Sequence, residues 1–155
     1  MIDSARMASR QYPGRPIAAV GAVVFHDNRL LLVQRGKPPR EHSWTLPGGL
    51  IKLGETTENA VIREVFEECS VVVRPLRLIE VIDYIERDDS GAVRFHYVLV
   101  DYEAEFIDGV IRAGGDVQDA AWCSAEDIRD LDLPELTAGF LRKHYGEFGF
   151  VARQA

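Results

Sequence analysis

Residues 48–71 read GGLIKLGETTENAVIREVFEECSV, and the reading of this stretch organises the rest of the chain. From Thr56 onward the apolar positions adopt helical spacing. Ile62, Val65, Phe66 and Cys69 fall three and four apart, the stripe that a helix over Thr56–Cys69 is expected to bury. Thr56 or Thr57 suits the N-cap, and Glu58 suits the positive end of the helix dipole. On the same helix Glu64, Glu67 and Glu68 stand at i, i+3 and i+4. That spacing sets three carboxylates on one face, neighbours roughly 5–6 Å apart. Arg63 is the only basic residue of the expected helix and sits one position off that face.

Like charges so close repel, and a hard divalent cation resolves the conflict because Mg²⁺ prefers carboxylate oxygens and retains several waters. An acidic triplet alone is an ordinary solvated helix face. Its surroundings set this one apart: Gly48-Gly49 precedes the helix, Glu55 stands just before it, and Arg63 opens the cluster. The glycine pair is expected to form a tight turn in which backbone carbonyls point at the metal.

These residues carry a resemblance. Gly49-x5-Glu55-x7-Arg63-Glu64-Val65-x-Glu67-Glu68-x-Ser70-Val71 resembles the box of the Nudix hydrolases, G-x5-E-x7-R-E-U-x-E-E-x-G-U with U apolar, at eight of its nine fixed positions. The resemblance implies an α/β/α sandwich with a mixed β-sheet, and hydrolysis of a phosphoanhydride by metal-activated water with Mg²⁺ or Mn²⁺ as cofactor. It makes Glu64, Glu67 and Glu68 metal ligands, with the Gly48 carbonyl as a further one, and Glu64 or Glu68 the base. It gives Arg63 the task of holding a carboxylate in place, and Glu55 that of bracing the loop–helix junction. The departure is Ser70, where the family has glycine. The position suits a left-handed C-terminal cap, so a side chain there costs on the order of 1 kcal/mol and bears on stability more than on chemistry.

Outward from the box, Ile17–Phe25 and Leu30–Val33 flank the turn residues His26-Asp27-Asn28-Arg29 as a β-hairpin. Gly36–Ser43 reads as a loop, and Trp44–Pro47 and Leu50–Leu53 as short extended pieces. Val71–Glu86 and Val93–Phe106 form two long arms about the turn Asp88-Asp89-Ser90-Gly91. Gly109–Asp119 is a loop and Ala120–Cys123 a short strand. Ser124 and Asp127 form a capping box for a short helix, and Glu135–Tyr145 follows Pro134 as the last helix. The chain therefore divides into a flexible lead-in (1–16), a single domain (17–148) and a tail (149–155).

At 155 residues, 46% hydrophobic and 28% charged, the composition is that of one globular α/β domain. Ile17–Phe25 is too short to span a bilayer, and the polar lead-in lacks the form of a secretory signal, so a cytoplasmic protein without membrane association is expected. A formal charge of −7 argues against a nucleic-acid partner, though an acidic protein still binds polyphosphates through intervening cations. Cys69 and Cys123 read as reduced, buried thiols.

The substrate side is less sharply written. Arg35, Lys37 and Arg40 either meet substrate phosphates or belong to a solvated loop. Trp44 either stacks on a base or fills the core. Asp116, in preference to Asp119, is a candidate additional metal ligand, because relatives place an acidic group near this point. The segment 35–49 is similar to the ADP-ribose-pyrophosphatase-like branch of the family. The favoured substrate is thus a nucleoside diphosphate linked to another moiety, ADP-ribose or a nucleotide sugar. The alternatives are a nucleoside triphosphate pyrophosphatase that clears oxidised nucleotides and a non-catalytic nucleotide-sensing module. Retention of every carboxylate together with Arg63 favours catalysis. The resemblance also admits a homodimer, for which the unpaired apolar edge of the first hairpin is the expected surface.

Overall fold

A computed structural model describes residues 9–37 and 40–146. The first half of the lead-in (1–8), the loop residues Pro38 and Pro39, and residues 147–155, which include the tail (149–155), lie outside the described residues. Strands β1 (Ile17–His26) and β2 (Arg29–Arg35) form the first hairpin, with β3 (Trp44–Thr45) and β4 (Gly48–Leu50) following. Helix α1 spans Thr57–Cys69; strands β5 (Val72–Arg87), β6 (Val93–Asp108) and β7 (Val117–Cys123) come next. Helices α2 (Ala125–Arg129) and α3 (Glu135–Tyr145) close the described chain.

All strands join one mixed sheet, ordered β3-β2-β1-β6-β5, with β4 added to β1 and β7 added to β2. Among the described residues, β1 and β6 are the one parallel pair. The β1–β2 turn places Asp27 and Asn28 at φ 50° and 59°, the doubly left-handed geometry that matches strand twist in a two-residue hairpin. Alternation along the central strands builds a core on each face. Val20, Val24, Leu31 and Val33 pack under α1 against Val61, Val65 and Cys69. Val23, Leu30 and Leu32 pack on the opposite face against Ile128 of α2 and Phe140 and Leu141 of α3. Burial of each such Val or Leu contributes about 1.5–3 kcal/mol, so these two cores fix helix positions firmly. The result is an α/β/α sandwich.

Four expectations are corrected. The buried stripe of α1 is Ala60, Val61, Val65 and Cys69, whereas Ile62 and Phe66 are 37% and 55% exposed. The helix meets the sheet through positions 61, 65 and 69, and each following residue is rotated about 100° away from that line. Gly48 and Gly49 belong to strand β4, opposite Gly21 and Val20 of β1, and neither has a positive φ. The last strand begins at Val117, because pairing with β2 continues past a bulge at Gln34/Arg35. The first hairpin has no free edge: β1 pairs with β2, β4 and β6, and β2 with β1, β3 and β7. Among the described residues, the long strand paired on one side alone is β5.

Helix ends follow local chemistry. The Thr56 hydroxyl accepts from the Asn59 N–H at 3.1 Å. Ser70 ends α1 in the left-handed region at φ 59°, its N–H donating to Phe66 O. Ser124 and Asp127 make both bonds of the capping box of α2. Cys69 and Cys123 are free, buried and in different cores. No helix among the described residues is long and apolar enough to cross a membrane.

Candidate active site

The acidic face of α1 lies against β4, and the glycines there are required by proximity. A Cβ on Gly48 would stand 2.0 Å from the Val20 carbonyl oxygen, and one on Gly49 2.5 Å from the carboxyl carbon of Glu64. Removing both side chains lets the strand approach β1 and leaves Glu64 room above it. The Gly48 N–H donates to Glu68 Oε2 at 3.0 Å, so Glu64 and Glu68, one turn apart, both rest on the same short strand.

Arg63 reaches further than its position one step off the face suggested. Its Nε and Nη2 hold both oxygens of Glu55 at 2.6 and 2.9 Å. Nη2 also donates to the Leu50 carbonyl at 3.0 Å, while Nη1 donates to Glu64 at 2.7 Å and Glu67 at 3.1 Å. One planar fork therefore ties the loop before the helix to two of the three carboxylates, a geometry that lysine does not reproduce. Glu55 also accepts from the Lys52 N–H at 3.0 Å. The Arg63 hydrogen bonds, then that backbone bond, hold its carboxyl at about 2.

Glu68 differs from its neighbours. Arg63 does not reach it; burial pushes its carboxyl up to about 8, against the Gly48 N–H, and the charge of Glu64 adds to the rise. Arg35 favours its ionised form and Asp116 disfavours it, so both side chains lie within electrostatic range of this carboxylate. Asp116 is brought there by the loop before β7, whose Arg112 N–H donates to Cys69 O and Gly114 N–H to Glu68 O. These bonds satisfy carbonyls at the C-terminal end of α1. Asp116 itself accepts from Lys37 Nζ at 2.8 Å, which lowers its carboxyl. Asp119 makes a local bond to the Ala120 N–H.

The other substrate-side candidates are dispersed. Trp44 packs with the core beneath α2 and α3, on the sheet face away from the acidic helix. The charge of Arg40 bears on Tyr84. Residues that sequence reasoning passed over are the Leu50 carbonyl, which Arg63 holds, and His42 and Gln118, whose side chains meet at 2.7 Å. Their pairing joins the loop after β2 to the start of β7, 76 residues onward, and leaves no local signal.

Among the described residues, no three His, Cys, Asp or Glu side chains converge as a ready ligand set. The cause is visible: Arg63 draws Glu64 and Glu67 toward itself while Glu68 turns to Gly48. The donors nonetheless fit a hard divalent cation. All three are carboxylates on one helix face, and Glu68, raised by burial, is held by the Gly48 N–H.

Comparison with known proteins agrees with this geometry. Over 116 residues the chain is 31% identical to the ADP-ribose pyrophosphatase of Methanocaldococcus jannaschii, covering 75% of this chain and 66% of that one. It spans 55% of the length of a Bacillus subtilis relative. The crystal structure of a MutT NUDIX hydrolase from Burkholderia pseudomallei superposes with a TM-score of 0.72 at 29% identity, over 84% of this chain and 98% of that one. The NUDIX domain of Shewanella oneidensis NrtR, complexed with ADP ribose, gives 0.68 at 25% identity, over 92% and 96%. The NUDIX domain family model matches residues 15–144. Since that match takes in both the acidic helix and the sheet on which it rests, the chain belongs to the Nudix family.

Proposed function

We propose that this chain hydrolyses a phosphoanhydride bond in a nucleoside diphosphate linked to a second moiety, ADP-ribose or a nucleotide sugar, with Mg²⁺ or Mn²⁺ as cofactor. The observation that carries the reading is the division of labour on α1. Arg63 restrains Glu64 and Glu67, and Glu68 is left half-buried beside them with its carboxyl raised to about 8. A relative named as an ADP-ribose pyrophosphatase and a related domain complexed with ADP ribose support the substrate class.

Glu64, Glu67 and Glu68, with the Gly48 carbonyl and Asp116, are the groups that would hold the cation. What Mg²⁺ or Mn²⁺ supplies when bound is neutralisation of charge on the phosphoryl oxygens and a more acidic water. The chain's own residues do the rest. Glu68, which the Gly48 N–H holds while Arg63 holds Glu64, is the better suited of the two candidate bases to take a proton from the attacking water. The Gly48 N–H orients that carboxylate, and Glu55 locks Arg63 so that Glu64 keeps its place. Arg35, whose charge acts on Glu68, would meet a substrate phosphate. Reduced Cys69 and Cys123 suit a cytoplasmic setting.

A substrate panel with Mg²⁺ and Mn²⁺, with mass detection of both products, tests this. Release of a nucleoside monophosphate and a phosphorylated second moiety is expected. Pyrophosphate released from nucleoside triphosphates as the preferred reaction would assign the chain to triphosphate clearance. Nucleotide binding without any metal-dependent product would make it a sensing module.

A further inference from the structure

A cleft of about 340 Å³ opens between the loop after β2 and the loop that leads into β7, lined by Lys37, Glu41, His42, Asp116 and Gln118 together with two glycines and Val117. Its size falls within the range of small-molecule sites, and it adjoins the acidic helix through the loop before β7, whose Gly114 N–H donates to the Glu68 carbonyl at 3.0 Å. Among the described residues the one ring in the lining is the His42 imidazole, tied to Gln118 through Nδ1, and most of the remaining side chains are charged or amide groups.

The lining is held in place. Lys37 Nζ donates to Asp116 at 2.8 Å, and His42 Nδ1 and Gln118 Oε1 are 2.7 Å apart. His42 adopts φ 72°, an uncommon conformation for a non-glycine residue. It is secured from both sides, its N–H donating to Arg35 O at 2.8 Å and its carbonyl accepting from Gln34 Nε2 at 3.0 Å. Gly36 lets the two loops close on each other: a Cβ there would stand 2.8 Å from the Asp116 carbonyl oxygen. Strain maintained by surrounding hydrogen bonds is a mark of preorganised sites.

We infer that this cleft is the subsite for the phosphorylated sugar half of the substrate, the half that leaves the nucleotide behind. This rests on the hydrolase reading above. Sugar hydroxyls both donate and accept, and they match a lining that offers the Gln118 amide, the His42 ring and two carboxylates. Lys37 retains further N–H donors for the attached phosphate. The nucleoside lies on the other side of the anhydride.

Calorimetric titration of ribose 5-phosphate and, separately, of AMP into the full chain reads the two halves independently. The wild-type chain is expected to bind ribose 5-phosphate. Gln118→Ala and His42→Asn are each expected to weaken that binding roughly tenfold, the loss of one hydrogen bond, and to weaken AMP less. Asparagine tolerates the positive φ at 42, and thermal midpoints near that of the wild type show that the fold persists. Failure of the wild type to bind ribose 5-phosphate, or equal weakening of both probes, overturns the assignment. Turnover is scored apart from binding. Selective weakening without any metal-dependent hydrolysis keeps the subsite and sinks the hydrolase reading, whereas hydrolysis with unselective binding does the reverse.

Discussion

Gly49 and Glu64 meet across the strand–helix interface so closely that a single methyl group at residue 49 would stand 2.5 Å from the Glu64 carboxyl carbon. The atoms it would displace are the far end of a flexible side chain. Gly49→Ala is therefore expected to change stability by less than about 1 kcal/mol, read by thermal unfolding. Misplacing Glu64 should lower kcat by about 100-fold. Gly48→Ala meets the Val20 backbone at 2.0 Å instead and should destabilise the fold by about 3 kcal/mol. Equal effects of the two substitutions would show that the glycines do not have these separate tasks.

The Arg63–Glu55 pair predicts an acid-side dependence. The Glu55 carboxyl sits at about 2 in the folded chain against an ordinary value of 4.5. The unfolded chain thus binds the proton first as pH falls. The stabilisation is complete above pH 4.5 and is lost as pH falls from there toward 2. Glu55→Gln should flatten this part of the unfolding-midpoint profile. A profile as steep as that of the wild type would assign the dependence to other groups.

Asp101 predicts the opposite sign. It is 7% exposed on β6 and occupies space left by Gly21 of β1, where a Cβ would stand 2.2 Å from its Oδ1. Burial, then the charge of Glu80 on β5, raise its carboxyl to about 6, and His144 of α3 partly opposes them. Lys143 and His144 both pair with Glu80, so the cationic partners of this cluster are already engaged. Between about pH 4 and 6 the folded chain holds a proton that the unfolded chain has released, and stability falls as pH rises through that window. Asp101→Asn should therefore raise stability at pH 8 by about 2 kcal/mol and leave it nearly unchanged at pH 4. A larger gain at pH 4 than at pH 8 would contradict this.

Ser70 carries a side chain at φ 59°, where glycine is at ease. Ser70→Gly should stabilise the chain by about 1 kcal/mol and leave kcat unchanged, since Ser70 Oγ approaches only the Arg112 carbonyl, at 3.4 Å. Loss of stability would mean that the Arg112 contact outweighs the backbone strain.

What the sequence made legible was local. The extent of α1, its Thr56 cap, the left-handed residue at 70 and the capping box of α2 all follow from neighbouring residues, and each stands where its spacing placed it. What it concealed was set by contacts distant along the chain. The glycine pair reads as a turn because its true constraint, the Glu64 carboxylate, arrives from a helix 15 residues onward. Ile62 and Phe66 read as core because helical spacing fits two adjacent stripes, and only the sheet's position selects the one through Val61, Val65 and Cys69. The edge of the first hairpin reads as free because the strands that cover it, β4, β6 and β7, come later in the chain. Arg63's grip on Glu64 and Glu67 depends on side-chain reach, which helical geometry at Cβ does not reveal.

The central claim is that the carboxylate face of α1 performs metal-dependent hydrolysis with Glu68 as its proton acceptor. The measurement that tests it most directly is kcat of Glu68→Gln against the wild type, on the best nucleoside diphosphate derivative with saturating Mg²⁺. The amide keeps the shape and the Gly48 contact in reach but accepts no proton, so kcat should fall by about 10³-fold with the thermal midpoint preserved. Wild-type turnover in the folded Glu68→Gln chain would contradict the account.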